Sequence, residues 1–134
     1  MSNFISEEIK IVPVIAPKAQ SYGGNDTGAY IKVPPKVGSI DFVVRHGALA
    51  EGKSVTVEVY QATDTSGTGA AEITSYETVA TAGTGGATDG TVIVSVVNAD
   101  VSKGYVTVKV SNDAASGSVP VDAFAMVRKQ YSEE

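Results

Sequence analysis

Two stretches of this chain alternate with a period of two. Ser54–Ala62, SVTVEVYQA, sets Val55, Val57 and Val59 against Thr56, Glu58 and Tyr60, and Tyr105–Ser111, YVTVKVS, repeats the pattern with Val106, Val108 and Val110. Successive side chains of a strand point to opposite faces, so this spacing predicts half-buried β-strands and excludes amphipathic helices there. Ser39–Gly47 (SIDFVVRHG) and Thr91–Asn98 (TVIVSVVN) carry β-branched residues at both parities, the pattern of strands covered on both faces and central in their sheets.

Further strands are expected over Glu8–Ala16, Ala29–Val33, Glu72–Ala80 and Val119–Gln130. Pro13 has no amide hydrogen to donate, which puts the first of these on a sheet edge or outside a ladder. Asn98–Lys103 fits a single turn, and no stretch combines a helical period with caps. About eight short strands between Gly, Pro, Asn, Asp and Ser clusters predict an all-β, antiparallel β-sandwich, jelly-roll-like. The alternative is an immunoglobulin-like sandwich, because ADVSKGYVTVKV (Ala99–Val110) places Asp100 and Tyr105 ahead of an alternating strand; Thr107 then stands where that fold has cysteine, and the chain has no Trp. The 134 residues suffice for one core. The expected organisation is an N-terminal arm over 1–17 and a single sandwich domain over 18–134.

Charge and composition narrow the chemistry. Net charge is −5, and the segment Gln61–Asp100 contains Asp64, Glu72, Glu77, Asp89 and Asp100 but no Lys or Arg, so it holds the whole excess. Nucleic-acid binding needs basic groups, and none is expected. There are no cysteines, which excludes disulfides and thiolate metal sites and suits an intracellular origin. The N-terminus, MSNFISEEIK, has glutamates where a secretory signal carries positive charge, and no apolar run is long enough for a span, so a soluble product without a membrane partner is expected.

The related stretches ATDTSGTGA (Ala62–Ala70) and ATAGTGGA (Ala80–Ala87) lack the lysine of a phosphate-binding loop. Asp64, Ser66 and Thr68 alternate as in a calcium loop, but Ser75 occupies the position of its bidentate glutamate. Turn chemistry accounts for both stretches, which should lie at opposite ends of one strand. His46 is the single histidine, no Gly-x-Ser-x-Gly occurs, and a structural role is expected for it. No catalytic residue, cofactor or metal is assigned, and the expectation is a protein that is not an enzyme. Tyr60 and Tyr76 on one exposed face would offer a platform for a sugar ring.

Residues 1–35, MSNFISEEIKIVPVIAPKAQSYGGNDTGAYIKVPP, read as an extended apolar arm and a glycine-rich turn. With FVVRHGALAEGKSVTVEVYQATDTSGTGA (Phe42–Ala70), this texture resembles the head decoration, or cement, proteins of tailed bacteriophages. The resemblance implies a virion protein made in the host cytoplasm that sits outside the capsid as a homo-oligomer, commonly a trimer. Its partner would be the major capsid protein, whose neighbouring subunits it would clamp.

On that reading Phe4, Ile5, Ile9, Ile11, Val12, Val14 and Ile15 form the partner-binding set, adding a strand to an exposed sheet edge. The acidic segment would then face away from the shell, and removal of residues 1–15 would leave a folded domain. In the other reading of EIKIVPVIA it is an edge strand of the protein's own sandwich. Two further functions stay open: a carbohydrate-binding or adhesion module on a virion or cell surface, and a tail-tube component.

Overall fold

The alternating valines form the inner lining of two packed sheets. In the computed structural model the backbone is described over residues 5–33 and 37–132, and side chains over 9–33 and 39–128. Its strands are β1 (Ile5–Ser21), β2 (Asn25–Thr27), β3 (Ile31–Lys32), β4 (Val37–His46), β5 (Ser54–Ala62), β6 (Ala71–Glu72), β7 (Thr78–Thr81), β8 (Gly90–Val97), β9 (Tyr105–Asn112) and β10 (Ser118–Ser132). The front sheet has the order β1-β10-β4-β8, and the back sheet β2-β9-β5-β6, with β3 also on β9 and β7 also on β5.

All pairings are antiparallel. If β2 and β3 count as one interrupted strand and β6 and β7 as another, the eight resulting positions run 1-8-3-6 in one sheet and 2-7-4-5 in the other. That is the jelly roll expected. The immunoglobulin-like alternative falls with it: the Tyr76 hydroxyl, not that of Tyr105, donates to Asp100.

Val55, Val57, Val59, Val106, Val108 and Val110 from the back sheet pack on Ile40, Phe42, Val44, Val92, Val94 and Val96 from the front, all buried. Most of these side chains are small and β-branched, so they fill the space between sheets with few rotamers to lose on folding.

Three expectations are corrected. From Ile5 on, the supposed arm is β1, paired with β10 from Ile5↔Ser132 to Ser21↔Ser118. Val14 and Ile15 are buried in the shared core, so residues 5–21 do not form a separate unit and a chain cut after residue 15 would lose core as well as edge. Pro13 does lie on an edge strand, beside a register shift between Pro13 and Ile15.

β8, expected to be central, is the opposite edge, with Val92, Val94 and Val96 inward and Ile93 and Val97 in solvent. Glu72–Ala80 is not one strand: a 3-10 turn, Thr74–Tyr76, splits it, because Tyr76 turns against the core and its hydroxyl accepts from Val97 N at 3.1 Å. The turn expected in Asn98–Lys103 is the 3-10 turn Asn98–Asp100.

A buried polar cluster ties the end of β1 to the back sheet. Gln20 Nε2 donates to Asp26 Oδ2 at 2.8 Å and to the Val110 carbonyl at 2.9 Å, and Asn112 Nδ2 donates to Gln20 Oε1 at 2.7 Å. Burial pushes the Asp26 carboxyl up, but hydrogen bonds from Lys18 and Gln20 and the Lys18 charge hold it below its ordinary value. Nearby, Gly28 passes so close to β1 and β9 that a Cβ there would stand 2.2 Å from Val14 Cγ1 and 2.8 Å from Thr107 Oγ1. The Thr107 hydroxyl is buried without a hydrogen-bond partner.

These two observations predict opposite effects in denaturant unfolding. Gln20→Ala should lower stability by about 2–3 kcal/mol, because it strands buried partners. Thr107→Val keeps the shape and removes an unsatisfied hydroxyl, and should raise the unfolding midpoint, with a gain of about 1 kcal/mol.

Candidate interaction surfaces

Strand pairing fixes which side chains share each outer face, because residues paired across a ladder point the same way. On the front sheet one such row reads Pro13, Phe124, Val43, Ile93 across all four strands, and the next begins Ile11, Met126. Six large apolar side chains among the described residues are exposed. Four of them lie on this face: Ile9 at 51%, Ile11 at 64%, Ile93 at 61% and Val97 at 44%.

Charges on the same face are paired laterally. Arg45 donates to Asp122 through Nε (2.9 Å) and Nη2 (2.5 Å), with its guanidinium 5.9 Å from the Phe124 ring centre, and Arg128 Nη2 lies 3.2 Å from Asp41 Oδ2.

The seven expected partner-binding residues therefore separate. Ile9 and Ile11 face outward on β1, whereas Val12 packs against the core, in which Val14 and Ile15 are buried. Ile5 is described only as backbone, paired with Ser132, and Phe4 lies outside the described residues. Sequence reasoning missed Ile93, Val97, Val43, Phe124 and Met126. For Val43, Ile93 and Val97 the signal was present in SIDFVVRHG and TVIVSVVN as apolar residues at both parities, but it was read as burial.

The outer face of the back sheet is different in kind. Carboxylate oxygens of Glu58, Glu72 and Glu77 come within 4.8 Å of one another. Glu72 is pushed above its ordinary value, first by burial, then by the charge and hydrogen bonding of Glu58 and the charge of Glu77, against the pull of Lys109. Burial and the same three carboxylates raise the Tyr60 phenol, whose ring has Lys109 Nζ 5.9 Å from its centre. Three carboxylate oxygens alone would leave half or more of a calcium shell to water. What this arrangement does chemically is concentrate negative potential on one face.

Tyr76 does not join Tyr60 in a platform: burial and its bond to Asp100 raise its phenol, and the ring packs against the core. The two Gly-Thr-Gly stretches are turns. In the first, Gly67 and Gly69 have positive φ and Asp64 Oδ1 accepts from Ser66 N (2.9 Å) and Thr68 N (3.1 Å); the Thr68 side chain first, and then these amides, lower the Asp64 pKa. The second, with Gly85 and Gly86 at positive φ, packs on Leu49 and Glu51. The single strand expected between them is broken into β6, the 3-10 turn and β7, and the two stretches lie instead at opposite ends of β5, with which both β6 and β7 pair.

His46 is buried with Nδ1 2.8 Å from the Gly47 carbonyl oxygen, which makes Nδ1 the donor. Its ring fits only because residue 90 is glycine, where a Cβ would stand 2.3 Å from Nε2. It borders a cavity of about 200 Å³ lined also by Leu49, Ala80, Ala87, Asp89 and Thr91.

No protein-family model and no curated protein matches the chain. Among solved structures, a chain from infectious bursal disease virus, Gx strain, superposes with TM-score 0.55 at 10% identity, over 92% of this chain and 32% of that one. The VP2 subviral particle of the same virus gives TM-score 0.55 at 8% identity, over 92% and 33%. The chain thus spans about a third of the length of these matches, and at such identities the likeness is one of fold.

The raised Glu72 carboxyl has a sign that can be tested. A carboxyl with a folded-state pKa above its unfolded value opposes folding when ionised, and that penalty disappears as pH falls through the folded pKa to below the unfolded one. Glu72→Gln should therefore raise the thermal midpoint at pH 7, and the gain should vanish below its ordinary value of 4.5.

Proposed function

We propose that this chain is a structural protein of a bacteriophage virion, without turnover of a substrate. It binds the outside of the capsid and stabilises it by bridging neighbouring capsid subunits, as a homo-oligomer for which the resemblance implies a trimer. The observation that carries this reading is β1, an edge strand with a regular, unbulged run from Ile5 to Pro13 and with Ile9 and Ile11 projecting into solvent.

One side of such a strand presents free backbone donors and acceptors, which pair with a strand of another chain, while alternate side chains add contact area. Past Pro13 the register shifts, and Ala29 N donates to the Val14 carbonyl. Docking by strand addition is therefore confined to the first half of β1.

Several modest contacts from one oligomer would act through effective concentration, which suits a clamp on a repeating shell. The fold likeness to the VP2 subviral particle of infectious bursal disease virus supports a place in a virus particle. The Glu58–Glu72–Glu77 face would be turned to solvent, away from the shell. A sugar-binding reading draws less support, because Tyr60 and Tyr76 do not share a face.

Ile11→Lys tests the edge. Burying one isoleucine side chain contributes about 1.5–3 kcal/mol, so the variant's affinity for undecorated parent particles should fall roughly 10- to 100-fold per contact in co-sedimentation, with the thermal midpoint little changed. Unaltered decoration by a folded Ile11→Lys protein would remove the edge from the interface. Assembly of the wild type into hexameric rings without capsid would instead make it a tail component.

A further inference from the structure

We infer that a second copy of this chain covers the outer face of the front sheet, the row Pro13–Phe124–Val43–Ile93 forming the centre of the contact. The inference names the surface through which the proposed homo-oligomer forms, and it rests on the reading of the chain as self-associating, not on the capsid as its partner.

Charge selects a copy of the same chain as the occupant. The molecule carries −5 overall, so most approaches of two copies are repulsive. On this face the described charges are Asp41, Arg45, Asp122 and Arg128, two of each sign and already paired with one another. The back face, with Glu58, Glu72 and Glu77 clustered, would repel its own kind. The front face is where two copies meet without like charges opposed, and no ion pair has to lose its partner there.

Area agrees. Four strands about 4.8 Å apart and about eight residues long at about 3.4 Å per residue span roughly 19 by 27 Å, or about 500 Å² per copy. Two such footprints total about 1,000 Å², the lower limit for a specific interface and the size of a weak, concentration-dependent one. Apolar side chains stand proud at both margins, Ile9 and Ile11 on β1 and Ile93 and Val97 on β8, while Phe124 and Val43 between them are more covered. Such a profile is shaped to receive another sheet or its edge.

Sedimentation velocity of the full chain without capsid, from about 1 µM to about 500 µM, reads the outcome. The wild type is expected to sediment as two copies at high concentration, because a face that covers its own counterpart closes at two, in place of the trimer that the resemblance implies. Ile93→Lys should raise the dissociation constant at least tenfold, and Val79→Lys, the same change at an exposed residue of β7 in the back sheet, should leave it unchanged. Val97→Lys is the second test should Ile93→Lys fail to fold, as judged by circular dichroism.

A wild type that stays monomeric at every concentration overturns both the inference and the homo-oligomer behind it. A wild-type oligomer insensitive to both front-sheet changes overturns the surface alone. A monomer whose decoration of particles is lost with Ile93→Lys assigns the face to the capsid and likewise overturns the inference.

Discussion

The antiparallel pairing of β1 with β10 decides most of what this molecule presents to others. It joins the first described strand to the last, completes the front sheet, and brings Val14 and Ile15 into the core. Without it β10 would be an edge, Val119, Val121 and Ala123 would lose their cover, and the front face would have three strands in place of four. The pairing is anchored at one end by Gln20, which shares hydrogen bonds with Asp26, Val110 and Asn112 of the back sheet. A buried polar cluster of this kind fixes register as well as adding stability, since a slip of one residue would turn Gln20 outward and leave its partners unpaired.

That pairing also explains what was legible in the sequence. SVTVEVYQA became β5 with the boundaries expected, because one face meets the core and the other meets water, the situation alternation encodes. The edge position of β1 followed from one missing N–H at Pro13. The partner of β1 was not legible, since no local feature of EIKIVPVIA distinguishes pairing with the protein's own last strand from pairing with another molecule. TVIVSVVN misled for a physical reason: apolar residues at both parities report that both faces avoid water, and they do not say whether the cover is internal. In β8 only one face is covered within the chain.

The 3-10 turn Thr74–Tyr76 was hidden for a different reason. Its cause is a tertiary bond, Tyr76 to Asp100 and Val97, between residues whose relation is invisible until the sandwich closes. The same closure separates Tyr76 from Tyr60 and so dissolves a site that spacing alone allowed. His46 was read as structural, and its fit against Gly90 shows why a glycine begins β8.

The two outer faces divide the molecule's electrostatics and its apolar exposure between them. Excess negative charge is held on the back sheet and in the turns, where it raises the Glu72 carboxyl above its ordinary value, whereas the front sheet cancels its charges pairwise and leaves isoleucines in water. Each arrangement has a cost within the single chain: Glu72 ionises against Glu58 and Glu77, and Ile93 and Ile11 expose surface that burial would stabilise by about 25 cal/mol per Å². Both become intelligible when one face is covered and the other is solvated. On the proposed self-association the acidic back face stays in solvent while the front face is covered, and the Gly-Thr-Gly turns, at the two ends of β5, serve as connectors between strands.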